Sequence, residues 1–474
     1  MPLFSDRDER PLHIHIVGIG GAGMSPLARI LIQRGHAVSG SDQETSPVTE
    51  SLAAAGITVY RGHRAENILG ADLVVATAAA RPDNPELVAA AEQGIRTIKG
   101  ATLLGELMLG HRCICVAGTH GKTTTTAMIS LILTDAGLDP TYVIGGEPLN
   151  LAASGHLGAG EYFVAEADEF DRRFLSLHPV IEVITGVEPD HPDCYPTKAD
   201  LMEAFRQFVS LIPSHGTLVG CADSDAVQWL ASTAVARFAS YGIVGTADWQ
   251  AVDLTINNGG GTDFRVTHYG DDVGKFRLEI PGRHNVSNAL AAIAVAELVG
   301  VEMASVRRSL AGFRGVARRF QTAGQALGAT LIDDYAHHPS EIRATLAAAR
   351  QRYPGRRIIA VHQPHTYSRL KALLPDFATA FGDADMVLIV DIYPSRETDT
   401  LGIHARHLVD AMRHPRALYV GNLVQATEYL RQALRPEDVV ITLGAGNVNR
   451  ILADLKSDSQ TSRSADNPIS PNPV

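Results

Sequence analysis

Along the first hundred residues, short apolar runs alternate with stretches whose apolar positions recur every three to four residues. Ile14 to Val17 reads as a strand, a Gly-rich turn follows, Pro26 to Arg34 reads as a helix, and Ala37 to Gly40 resumes a strand that ends in Asp42. Strand, helix, strand in this rhythm builds a parallel sheet, because the chain must cross back before it can run in the same direction again. The rhythm restarts at Cys113 to Ala117, where another Gly-rich turn follows, with further strands expected at Tyr162 to Ala165 and Ile181 to Thr185. It restarts again near Gly312, with strands at Thr330 to Ile332, Arg357 to Val361, Met386 to Val390 and Val439 to Leu443, and Ala-rich helices such as Glu341 to Arg350 between them. Between about Ala247 and Pro281 the runs shorten and alternate, with turns at Asn257 and Gly259 to Gly261, which predicts antiparallel strands appended to the middle unit.

Length agrees with three units, since 474 residues at roughly 150 per domain give about three cores. The expected divisions are a flexible N-terminus over 1–11, domains over 12–108, 109–312 and 313–456, and a disordered tail over 457–474, where Ser, Asp, Asn and Pro replace large apolar side chains. A net charge of −11 repels a phosphate backbone, which excludes nucleic acid as a partner and requires a local cationic site for any anionic ligand. No apolar run reaches the roughly 18 residues of a membrane span, and Met1 to Arg10 is charged where a signal peptide would be apolar, so no membrane partner and a cytoplasmic location are expected. The cysteines (Cys113, Cys115, Cys194, Cys221) form no C-x-x-C pair and read as buried thiols.

The strongest chemical signal is Gly118-Thr119-His120-Gly121-Lys122-Thr123-Thr124, set between a strand and a helical stretch. Glycines let backbone N–H groups turn toward phosphate oxygens, the helix start adds positive potential, Lys122 brings a cation and a Thr hydroxyl suits Mg²⁺. Only two residues separate its glycines, where the usual phosphate loop has four. Glu166-Ala167-Asp168-Glu169 and Glu188-Pro189-Asp190-His191 each follow a strand, and acidic groups at the carboxyl ends of parallel strands converge on the ligand crevice, where one or two carboxylates plus phosphates hold Mg²⁺. The earlier Gly18-Ile19-Gly20-Gly21-Ala22-Gly23, with Asp42 some twenty residues on, fits a dinucleotide or any other diphosphate, a UDP-sugar included. A dehydrogenase reading of that turn leaves Gly118 to Thr124 and Glu166 unexplained. Asn285 and Asn288, three apart before an Ala-rich helix, either read a purine edge or cap the helix. Two polar strand ends, Asp333 to Pro339 and Gln363 to Arg369, suit a small charged substrate, whereas the spacing of their histidines does not fit a zinc site.

Taken in order from about His13 to Leu455, these motifs resemble the Mur ligase family, with Gly18 to Ser25, Gly118 to Thr124, Glu166 to Glu169, Asp190-His191, His284-Asn285, Asp333 to Pro339, Gln363-Pro364-His365, Asp391 to Pro394 and Gly444-Ala445-Gly446 carrying the likeness. The resemblance implies an α/β fold of three domains: N-terminal Rossmann-like, central P-loop ATPase-like with a small antiparallel addition, and C-terminal Rossmann-like. It implies an ATP- and Mg²⁺-dependent ligase of peptidoglycan synthesis that joins L-alanine to UDP-N-acetylmuramate through an acyl phosphate, acting as a monomer or weak homodimer. A related ligase that adds a preformed peptide or another amino acid is the alternative. On this likeness Lys122 contacts the β- and γ-phosphates within the loop formed by Gly118, Thr119, His120, Gly121, Thr123 and Thr124. Thr123 and Glu166 hold magnesium, assisted by His191. His284 and Asn285 contact adenine, with Asp334 near the ribose. Tyr335, His337, His365 and Arg369 form the amino-acid pocket, Arg369 pairing with the alanine carboxylate. Gly18, Gly20, Gly21, Gly23, Met24 and Ser25, with Asp42, hold the UDP-sugar. The catalytic set is Lys122, Glu166, His191, His337 and Arg369. Departures from the family pattern are Arg172-Arg173 in place of Gly-Ser, Gly186 in place of Asn, Pro192 after His191, and Thr366 where some relatives have Arg.

Overall fold

The computed structural model describes residues 10–465, the side chains of 458–465 excepted. Three sheets are present, of five, ten and six strands. In the first, His13–Val17 is central, with Ala37–Asp42 and then Thr58–Arg61 on one side and Leu73–Ala76 and then Arg96–Lys99 on the other, all parallel. This is the expected doubly wound unit.

In the second sheet, Arg112–Ala117 lies between Ile181–Ile184 and Tyr162–Glu166, both parallel to it, with Ala117 opposite Ile184 and Val116 opposite Glu166. That register brings the carboxyl ends of the three strands to one edge. The expected antiparallel addition is Trp249–Ile256, Thr262–His268 and Asp271–Leu278 at the far edge. Helices Lys122–Asp135 and Arg283–Leu298 are buried on nearly every face, polar Thr123 to Thr126 and Ser130 included, as suits helices enclosed in a core. The third sheet centres on Val439–Leu443, flanked by parallel Ala329–Asp334 and Ile358–His362, and only its edge strand Gln321–Ala326 is antiparallel.

One apolar core crosses the first domain boundary, placing Met24, Leu27, Leu103 and Leu107 with Cys113, Phe163, Phe174 and Phe205. Gly155 makes the contact possible: a Cβ there would meet the Pro26 backbone at 2.3 Å. The first domain is therefore seated on the second by packing as well as by Lys99–Asp171 at 2.8 Å.

At the C-terminal end the described helix runs into the stretch read as a tail. The helix Arg450–Ala465 continues past residue 457, because the stripe Ile451, Leu452 and Leu455 packs in the third core and nucleates a helix whose further residues each add a hydrogen bond cheaply. Residues 466–474, and residues 1–9 of the expected flexible N-terminus, lie outside the described residues; Arg10 pairs with Asp72 at 2.9 Å.

Candidate active site

The strand Arg112–Ala117 delivers the chain into Gly118 at φ 123°, and Gly121 follows at φ 80°. A Cβ at Gly118 would meet Thr185 Oγ1 at 2.2 Å, and one at Gly121 would meet Asn288 Oδ1 at 2.4 Å, so both positions need glycine for space as well as for conformation. No side chain caps the helix that begins at Lys122, which leaves its positive end facing the loop. Lys122 folds back, with Nζ donating to Gly118 O at 2.6 Å and lying 2.9 Å from Glu169 Oε2. Burial opposes its charge, but Glu169, Asp168 and Glu166 outweigh that cost and push the pKa up to about 12.

Glu166 stands at the end of its strand and accepts from the Gly145 N–H at 2.9 Å. A Cβ at Gly145 would strike the Glu166 carboxylate at 2.5 Å, and one at Gly146 would meet Thr123 Cγ2 at 3.2 Å. The Gly145-Gly146 backbone therefore runs between Thr123 and Glu166, which lie on its two sides. A hydroxyl and a carboxylate gathered at the phosphate loop are hard oxygen donors that fit Mg²⁺. His191, at φ 54°, places Nε2 3.8 Å from Glu169 and 3.7 Å from Asp190; these carboxylates, and not Glu166, are within ion-pair reach of its ring.

The third domain supplies the opposite wall. Tyr335 and His337 have ring centroids 5.4 Å apart, His337 and His365 5.8 Å apart, and Arg369 Nη1 lies 3.1 Å from His365 Nδ1, so the expected amino-acid pocket residues do come together. Burial lowers His337 to about 3 and His365 to about 4, the positive Arg369 assisting, so both rings are neutral near pH 7. Arg369 itself is occupied differently from expectation. Its Nε donates to Asp190 Oδ1 at 2.7 Å and its Nη1 to His365 O at 2.6 Å, in a buried pair that joins the central and third domains. Burial alone would raise Asp190, and Arg369 overrides it and holds that carboxyl well below the usual range.

Other expected contacts are engaged within the protein. Asn285 donates to Pro281 O at 2.7 Å and Asn288 to Asn285 Oδ1 at 3.3 Å, and no side chain caps the start of that helix at Gly282. His284 is exposed at the start of the helix Arg283–Leu298. Asp334 accepts from the Phe320 and Ala336 N–H groups at 2.8 and 2.7 Å, and burial raises it to about 6. In the first domain, Asp42 accepts from the Gly20 N–H at 2.9 Å, while Ser41 O accepts from Gly18 and Ile19. Met24 and Ser25 are buried at the start of the helix Ser25–Gln33, and a Cβ at Gly23 would meet nothing within 4 Å.

Sequence reasoning missed several partners. Glu169 pairs with Lys122, Asp190 with Arg369, and Glu341 accepts from the backbone of His337 at 2.9 Å while facing His120 at 3.3 Å. Glu169 and Asp190 were visible only as neighbours of Glu166 and His191. Arg318 and Arg319 both stack over Tyr335, at 5.0 Å from its ring, and no motif drew attention to them. Arg173, one of the departures, pairs with Asp168 at 3.0 Å and so neutralises part of the acidic strand end.

With this geometry established, the chain was compared with known proteins. Residues 13–112 match the model described as Mur ligase family, catalytic domain; 116–296 match the Mur ligase middle domain; 318–446 match the Mur ligase, glutamate ligase domain. The UDP-N-acetylmuramate–L-alanine ligase of Caldanaerobacter subterraneus subsp. tengcongensis is 45% identical over 94% of this chain and 97% of its own length. Among solved structures, the UDP-N-acetylmuramate–alanine ligase MurC of Thermotoga maritima superposes with a TM-score of 0.83 at 28% identity, covering 95% of this chain and all (100%) of that one. The murein peptide ligase of Psychrobacter arcticus gives a TM-score of 0.73 at 28% identity, covering 94% and 98%. Matched in all three domains, in the order in which its sheets and site residues occur, this chain belongs to the Mur ligase family.

Proposed function

We propose that the chain is an ATP-dependent ligase that joins L-alanine to UDP-N-acetylmuramate in peptidoglycan synthesis, through an acyl phosphate. One observation carries the mechanism: the Asp190–Arg369 pair, at 2.7 Å, ties the segment after the strand Ile181–Ile184, whose Glu188 backbone bonds Thr119 of the phosphate loop, to the Tyr335–His365 pocket of the third domain. A carboxylate must meet a triphosphate there, and two anions repel strongly in a site of low dielectric. Lys122, permanently cationic, offsets that repulsion from the loop side, and the bare start of its helix adds N–H donors. Thr123 and Glu166 would hold Mg²⁺, His191 would assist from its place beside Glu169 and Asp190, and the bound ion would supply further charge neutralisation.

After phosphoryl transfer, the amine of alanine attacks the acyl carbon and phosphate leaves. That amine arrives as an ammonium and must lose a proton. With pKa values lowered to about 3 and 4, His337 and His365 are too weakly basic to keep that proton and line the pocket as neutral hydrogen-bonding rings, so the proton passes to solvent as the amine enters. Arg369, tied to Asp190, positions the wall of this pocket. Docking of the domains on each other excludes water that would hydrolyse the acyl phosphate.

Purified chain with Mg²⁺, ATP and UDP-N-acetylmuramate releases phosphate when L-alanine is added, and ¹⁸O from the labelled lactyl carboxylate appears in that phosphate. Release at the same rate without any amino acid would identify a plain ATPase instead. Preference for a preformed peptide over alanine would move the chain to the other ligase reading.

A further inference from the structure

Across the interface between the central and third domains, three side chains that lie far apart in sequence converge. His120 Nε2 lies 3.3 Å from Glu188 Oε2, His338 Nδ1 lies 3.8 Å from the same oxygen, and the two rings stand 4.7 Å apart. One donor atom from each of the three falls within 4.8 Å of the others. None of them belongs to the Thr123, Glu166 and His191 set.

The nitrogens that face away from this cluster are held as metal-bound histidines require. His120 Nδ1 faces Glu341 Oε1 at 3.3 Å, and His338 Nε2 faces Pro189 O at 3.2 Å. A carboxylate or carbonyl on the far nitrogen holds a proton there, so an entering ion displaces any proton on the near nitrogen and takes its lone pair. The His338 lone pair accepts from the Ser340 N–H at 3.3 Å, and Ser340 Oγ donates to Glu188 Oε2 at 2.5 Å; both contacts shift when an ion enters. Two imidazoles and one carboxylate are the donors of zinc-type ions, whereas magnesium prefers oxygen alone.

We propose that His120, Glu188 and His338 form a binding site for a divalent transition metal of the zinc type, with an open fourth position, that bridges the central and third domains. Because His338 comes from one domain and His120 and Glu188 from the other, the ion binds only while the two are docked, and its binding holds them together. His120 belongs to the phosphate loop, so occupancy of this site also restrains that loop.

Cobalt(II) titrated into the metal-free full chain, without nucleotide, tests the site directly. The expected result is one equivalent bound, with the intense visible absorption of a four-coordinate ion, displaced by zinc and not by excess magnesium. His338→Asn removes the ligand nitrogen but retains a good helix cap, and abolishes this spectrum. Glu341→Gln, acting behind His120, weakens cobalt binding about 10–100-fold. X-ray absorption of the zinc-loaded unmodified chain, which needs no variant to fold, shows two imidazoles in the first shell. A weak octahedral spectrum, fewer than two imidazoles, or full binding by folded His338→Asn chain overturns the proposal.

Discussion

The two glycine-rich loops of this chain share one backbone device and differ in the charges around it. Each follows a parallel strand and opens a helix, and each turns on a glycine with positive φ, Gly18 at 76° and Gly121 at 80°. In the first domain the surrounding side chains consume donors: Asp42 accepts from Gly20, and no lysine stands on the loop. In the central domain the loop carries Lys122, with Glu166, Asp168 and Glu169 around it, and the buried Asp190–Arg369 pair nearby. A loop of backbone donors suffices to hold an anion that does not react. Bringing a second anion to the first takes a fixed cation as well.

The largest effect should come from unpairing the charges that gather around the central loop. Arg369→Ala leaves Asp190 buried and uncompensated and should cost about 3–5 kcal/mol of stability, read by chemical denaturation; a loss below about 1 kcal/mol would show that the pair is effectively solvated. Lys122→Ala should lower kcat on the order of 10²–10³-fold in the phosphate-release assay, whereas Asp42→Ala, on the first loop, should act on KM for the nucleotide sugar and spare kcat. Equal kcat losses would erase the distinction between the loops. Gly121→Ala forces a Cβ onto Asn288 at φ 80° and should cost about 1–3 kcal/mol. Gly23→Ala, with open space around it, should stay within about 0.5 kcal/mol in the same melt.

The pH dependence is the smallest effect and has two limbs. Burial opposes charge on His120, but Glu188 and Glu341 raise it to about 9, above its usual 6.5. Its stabilisation is complete below pH 6.5 and declines as pH rises to about 9, where it is lost. His337 and His365 are lowered to about 3 and 4 by burial, so the stability tied to their neutral forms is present above pH 6.5 and falls as pH drops toward about 4. Thermal melting across this range should show both limbs, and Glu188→Gln should flatten only the alkaline one.

Much of the fold was legible because periodicity and turn residues are local. Met386–Val390 and Val439–Leu443 lie where their apolar runs place them, and the strand that feeds Gly118 differs from expectation only by beginning at Arg112. The C-terminal helix Arg450–Ala465 was not legible past Leu455 because its polar continuation carries no apolar stripe of its own. At the site, residues within a motif were legible, such as Lys122 and Glu166, but their partners were not. Nothing local signals that Glu341 faces His120 across 221 residues, or that Asp190 meets Arg369 across 179.

By itself the sequence determined the three sheets, the two anion-holding turns and the chemical types gathered at each strand end, since each depends on neighbours a few residues apart and on which backbone angles glycine alone tolerates. The tertiary structure decided which charges are paired: Lys122 with Glu169, Asp190 with Arg369, His120 between Glu188 and Glu341. Pairing follows from distance and burial, and both are set only when separate domains are brought against one another.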